Sequence, residues 1–143
     1  MWKPEPESNS IAIIIQHMSG NMVSRWTDLL TSDGEKPWRS RDKEFEDVVF
    51  TVDAASWTLK QGWDCLLKAV DSLREEDLLR TILIRNEPHS VLDAIDRQLA
   101  HYAYHVGQIV YIAKARKGSD WKSLSVPKGK SEEFNKSMFT RDK

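Results

Sequence analysis

The chain has 143 residues, with 21 Lys and Arg against 22 Asp and Glu, a net charge of -1, 40% hydrophobic residues and 30% charged residues. That composition fits one globular domain able to bury its own core; it excludes a disordered chain and gives no electrostatic reason to expect nucleic acid or an anionic membrane as partner. Cys65 is the only cysteine, so an intrachain disulfide is excluded and a reducing cytoplasm is the expected compartment.

Residues 1–8 carry Pro4, Glu5, Pro6 and Glu7 and read as an extended lead-in without the basic-then-apolar order of a secretion signal. Ser8 or Asn9 is the expected N-cap of a helix from about Ser10 to about Leu30, because Ile11, Ile14, Ile15, Met18, Met22, Trp26, Leu29 and Leu30 recur at three- and four-residue steps. Gly20 interrupts this stripe, and close packing against a neighbour is the physical reason to keep a glycine there. His17 lies beside the stripe. Residues 31–45 then read as a polar loop with the turn pair Asp33-Gly34 and with Arg39 and Arg41 near Trp38.

A second helix is expected from about Asp53 to about Leu73, with Trp57, Leu66, Leu67, Val70 and Leu73 on its buried side and Gly62 within it. The run Thr81-Ile-Leu-Ile is rich in β-branched residues and predicts a short extended segment near residues 81–85, after which Asn86, Glu87 and Pro88 break the chain. Ser90 is the expected cap of the longest helix, from about Val91 to about Lys117. Basic residues in its last turn suit the macrodipole, and Gly118 is its stop. After an extended Leu124-Ser-Val-Pro stretch, Ser131 caps a short final helix through Met138. Three long helices and one short one define an all-α chain.

His101 and His105 stand four residues apart, so both imidazoles share one helix face with Val91, Ala94, Gln98, Gln108 and Ile112. Two buried rings need partners for four nitrogens and would repel if both were charged. One divalent cation satisfies both demands, and His17, on the inner side of another helix, supplies a third ligand. The competing reading is a cation-free core with three hydrogen-bonded histidines. If the cation binds, protonation of imidazole should weaken it below roughly pH 6.5. His89 could serve as an acid or base at a cavity mouth, or simply sit in the turn before the long helix. Arg39, Arg41 and Arg85 could form an anion clamp, but a solvated loop is the reading preferred. Cys65 reads as a small core residue, and most of the 6 tryptophans fall at core-like spacing. HExxH, a phosphate-binding glycine loop, GxSxG and CxxC are absent.

The stretches WKPEPESNSIAIIIQHMSGN (2–21), DGEKPWRSRDKEF (33–45), IRNEPHSV (84–91), HYAYHVGQIVYIAK (101–114) and WKSLSVPKGKSEEFN (121–135) together resemble the DinB/YfiT-like superfamily of metal-binding four-helix bundles, in a bacterial branch of unassigned function. The resemblance implies a helical bundle whose metal is held by His17, His101 and His105, with zinc or nickel as the ion. It also implies a thiol-dependent transferase acting on a small-molecule thiol and an electrophile, and a homodimer. Members normally carry another long helix before the Trp-Lys-Pro loop with which this sequence opens. The apolar faces thereby left uncovered favour self-association, which light scattering would read as a mass of two chains. A non-catalytic or stress-related metal-binding bundle and a metal-dependent hydrolase are the alternative functions.

Overall fold

In a computed structural model, which describes residues 2–47 and 51–140, the chain is mainly helical with one small sheet. It divides into two compact units, Met1–Ile112 and Ala113–Lys143. The elements are α1 (Ile11–Trp26), α2 (Val52–Asp71), β1 (Thr81–Ile84), β2 (Glu87–Ser90), α3 (Val91–Lys117) and α4 (Ser131–Phe139), with short 3-10 turns over Asp42–Phe45 in the loop after α1, Glu75–Asp77 and Gly118–Asp120. Among the described residues no helix is long and apolar enough to cross a membrane.

The cap of α1 is Ser10 rather than Ser8 or Asn9, its hydroxyl accepting from the Ile13 amide at 3.3 Å. The helix stops at Trp26 instead of Leu30, because Thr27 is extended and Asp28 turns into positive φ. Leu29 is still buried, so the apolar stripe outlasts the helix that carries most of it. Thr51 caps α2 by accepting from the Ala54 amide.

The helices α1 and α2 cross closely at Gly62. A Cβ there would lie 2.9 Å from the Met22 sulfur and 3.0 Å from the Ser19 Cα, and the Ser19 hydroxyl donates to the Thr58 carbonyl at 2.7 Å beside it. Leu66 faces this junction, but Trp57 and Leu67 do not. Both are exposed, correcting their expected place in the core. Trp2 and Trp38 are exposed as well, so of the tryptophans only Trp26 is fully buried among the described residues. Core spacing on a helix specifies a face, and α2 buries only a narrow one, around Gly62 and Leu66.

The expected break at Asn86–Pro88 is instead the second arm of a hairpin. Thr81 pairs with Ser90 and Ile84 with Glu87 in antiparallel register. Arg85 and Asn86 form its two-residue turn with φ of 54° and 62°, the pair of positive angles that a right-twisted ribbon favours. Pro88 fits because a two-stranded ribbon has an unpaired outer edge for a residue without N–H. Asp33 ties the hairpin to the loop after α1: its carboxylate accepts from the amides of Glu35 (2.7 Å), Arg85 (2.8 Å) and Asn86 (2.7 Å).

Ser90 and Asp93 build a capping box for α3, the Asp93 amide donating to the Ser90 hydroxyl and the Ser90 amide to the Asp93 carboxylate. Buried Val91, Ala94, Tyr102 and Ile112 join the cluster formed with Ile14, Met18, Met22, Trp26 and Leu66, and the Trp26 indole donates to the Tyr102 hydroxyl at 3.0 Å. Gly118, at positive φ, ends the helix where expected. In the second unit α4 runs from Ser131, with Lys130 rather than Ser131 at the cap position, and exposes Phe134, Met138 and Phe139.

Candidate metal centre

The long helix carries His101 and His105 one turn apart, and α1 brings His17 to meet them. The Nε2 atoms converge: His17 lies 3.4 Å from His101, and His105 lies 3.1 Å from His101. One ligand atom from each residue falls within 4.8 Å of the others, so the three could hold a metal ion. His17 and His105 are buried, and His101 is partly so.

The outer nitrogens explain why the Nε2 atoms face inward. His17 Nδ1 meets the Glu44 carboxylate at 2.8 Å, and His105 Nδ1 meets the Gln108 side-chain oxygen at 2.8 Å. Both acceptors hold the proton on Nδ1, leaving the Nε2 lone pairs pointing at the common centre. The single proton of a neutral His101 cannot satisfy both facing nitrogens well, and its own Nδ1 is buried without a partner. Nitrogen lone pairs gathered in a half-buried place are a donor set for a borderline cation. Zinc–nitrogen bonds of about 2.1 Å in tetrahedral array set ligand nitrogens about 3.4 Å apart. The His17–His101 and His101–His105 Nε2 separations lie close to that edge and the three ligand atoms are all within 4.8 Å of one another, so these residues could hold a divalent ion.

Glu44 is the residue that sequence reasoning missed. It sits on the 3-10 turn over Asp42–Phe45, 7% exposed, and is clasped by Arg39 through Nε to Oε1 (2.8 Å) and Nη2 to Oε2 (2.8 Å). Burial opposes its charge, but hydrogen bonds from His17 and Arg39 and the positive guanidinium win and hold the carboxyl below its usual range. Arg39 also reaches Glu35 at 3.1 Å. Its side chain is only 3% exposed, which corrects the solvated-loop reading for Arg39, whereas Arg41 and Arg85 are exposed. Gly20 makes the arrangement possible, since any Cβ there would collide with the Glu44 carboxylate. The one signal in the sequence was this glycine, one turn after His17 in an otherwise good helix. Phe45 lies against the His17 ring at 4.8 Å between centroids, and the Arg41 guanidinium stands over the Phe45 ring at 5.0 Å.

His89 does not join the centre; it sits on β2 opposite Ile82 with its Nε2 buried and unpartnered. Cys65 is partly buried, with the Thr27 hydroxyl 3.6 Å from its sulfur.

Burial, followed by the proximity of His105 and His17, lowers the His101 pKa to about 4; burial also lowers that of His105. Between pH 6.5, the ordinary histidine value, and about 4, an unfolded chain takes up a proton at position 101 that the folded chain refuses. Stability of chelator-treated protein is therefore fullest above pH 6.5 and is lost as pH falls toward 4. From about pH 7 to about pH 5 the loss is on the order of 1 to 2 kcal/mol, allowing for solvent screening at a partly exposed ring. Urea unfolding at the two pH values measures it. A His101→Gln variant losing as much stability as the wild type would contradict the assignment.

A family model described as "Protein of unknown function (DUF1572)" matches residues 1–130. No curated protein and no solved structure matches the chain.

Proposed function

The chain belongs to the DUF1572 family of proteins of unknown function, and from its own residues we propose that it is a divalent-metal-binding protein with His17, His101 and His105 as ligands and zinc or nickel as the ion. The observation that carries this reading is the convergence of three Nε2 atoms, two of them on rings whose outer nitrogens are held by Glu44 (His17) and Gln108 (His105). The resemblance to DinB/YfiT-like bundles supports it independently and extends it to a transferase using a low-molecular-weight thiol.

An ion held there supplies Lewis acidity, which brings the pKa of a thiol or water toward neutrality. The protein's part is to orient and to hold protons. Glu44, kept ionised by Arg39, retains the proton on His17 Nδ1, and Gln108 does the same for His105. Both acceptors are engaged at Nδ1 atoms and not at the centre. The donor set is thus three nitrogens, which favours an open reactive site over a closed structural one.

Zinc- or nickel-loaded protein supplied with glutathione or cysteine and an aryl halide is expected to accelerate thioether formation. The S–C bond forms as the C–halogen bond breaks, releasing halide and a proton. The acceleration should vanish after chelation and return with the metal. Equal rates in loaded and chelated protein would overturn the transferase reading. Metal-dependent hydrolysis of an ester in its place would favour the hydrolase.

A further inference from the structure

Beside the histidines lies a cavity of about 160 Å³ lined by His17, Asn21, Arg25, Arg39, Arg41, Arg85, Arg97, Gln98 and His101. Its five guanidinium groups come from four separate pieces of chain. Arg25 is on α1, Arg39 and Arg41 are on the following loop, Arg85 is at the hairpin tip and Arg97 is on α3. The bonds from Asp33 to the hairpin amides hold the loop and the hairpin tip in register with each other. The nearby acids are already engaged: Glu44 with Arg39 and His17, Glu35 with Arg39 and with Arg85 at 3.4 Å, and Asp33 with the three amides. Positive charge is in excess.

Arg25 is the telling residue. It is 4% exposed, and its Nε and Nη1 are buried without a hydrogen-bond partner. Gly34 leaves it room, since a Cβ there would stand 2.7 Å from Nη1. A guanidinium does not escape burial by losing its proton at any ordinary pH, so a buried one lacking partners destabilises the fold unless an anion approaches it. Asn21 Oδ1 and Gln98 Oε1, also buried and unpartnered, are acceptors and cannot serve that charge-neutralising role, although they suit a donor carried by the same ligand. A surface arginine cluster would be spread in water by mutual repulsion; here the charges are gathered around a half-open cavity, lined by buried Arg25 and Arg39 and by exposed Arg41, Arg85 and Arg97, that shares His17 and His101 with the triad.

We propose that this cavity is an anion subsite, taking a carboxylate or a tetrahedral oxyanion group of the substrate through Arg25 and Arg97, with Arg41 and Arg85 at its rim. That the anion belongs to a substrate rests on the reading of the triad as a metal centre, because the shared histidines set the rest of such a molecule beside the ion. The anion site itself stands on the arginines alone. It narrows the substrate class to acids: molecules bearing at least one carboxylate, phosphate or sulfate-like group a few bonds from the reacting atom.

Isothermal titration calorimetry of the full chain at low salt tests it, with acetate as the carboxylate probe and inorganic sulfate as the tetrahedral one, each against chelated and zinc-loaded protein. One anion is expected to bind per chain in both forms, and the better of the two probes names the group. Arg25→Met and Arg97→Gln are each expected to weaken binding about tenfold or more, the loss of a charge-assisted hydrogen bond. Arg97 is exposed, so its variant folds even where the Arg25 variant does not. Unchanged binding in Arg97→Gln and in folded Arg25→Met, or no binding of either probe to wild type, overturns the proposal. Metal content measured on the same samples separates the two readings. Retained zinc without anion binding defeats the subsite alone, whereas anion binding to a chain that takes no zinc upholds the subsite and defeats the metal centre.

Discussion

Replacing His101 with alanine is expected to remove metal binding while leaving the protein folded. His101 is the middle of the three ligands, its Nε2 lying 3.4 Å from His17 and 3.1 Å from His105. Without it two nitrogens remain, presented from different helices. A site bound through four ligands at about 10–16 kcal/mol draws roughly 3–4 kcal/mol from each, so affinity should fall about a hundred- to a thousandfold. The fold should tolerate the change. The ring is only partly buried, its Nδ1 has no partner, and its depressed pKa means that burial is working against its charged form. Competition with a chromophoric chelator measures the affinity and thermal unfolding measures the fold. Equal zinc affinity in the variant and the wild type would remove His101 from the ligand set.

Replacing Glu44 with alanine is expected to damage both the centre and the fold. The carboxylate neutralises a guanidinium whose side chain is 3% exposed and accepts the proton of His17. Truncation leaves Arg39 buried without its two-pronged partner, a change costing about 3–5 kcal/mol. It also leaves His17 Nδ1 free to take the other tautomer, and loss of such an outer partner lowers metal affinity about 10- to 100-fold. Glu44→Gln separates the two effects. Its amide oxygen can still hold the His17 proton, whereas Arg39 loses its counter-charge. Stability should therefore fall in both variants and metal affinity mainly in the alanine one. Urea midpoints unchanged from wild type would show that the Arg39–Glu44 pair contributes nothing.

How much of this was legible in the sequence follows the range of the interactions concerned. The bounds of α3 are set locally by Ser90, Asp93 and Gly118, and they fall where those residues predict. The spacing of His101 and His105 fixes a shared face for the same reason, and the apolar stripe of α1 brings His17 inward. Glu44 and Arg39 lie in a loop with no periodicity, and their roles appear only when Gly20 lets that loop close against α1. The hairpin was hidden because Arg85-Asn86 is a less familiar turn pair than Asn-Gly and because Pro88 argues against a strand interior. In the sequence Arg25 is an ordinary basic residue at a helix end. Only the tertiary arrangement, with Gly34 beneath it, buries the guanidinium. Trp57 and Leu67 show the converse, apolar residues at helical spacing that the described fold leaves exposed.

The most direct test is elemental analysis of the purified protein after equilibrium dialysis against a small excess of zinc or nickel. Three inward-facing nitrogens require one equivalent of the ion per chain, retained through gel filtration. A metal content at background under those conditions would mean that the three histidines are hydrogen-bonded core residues and nothing more.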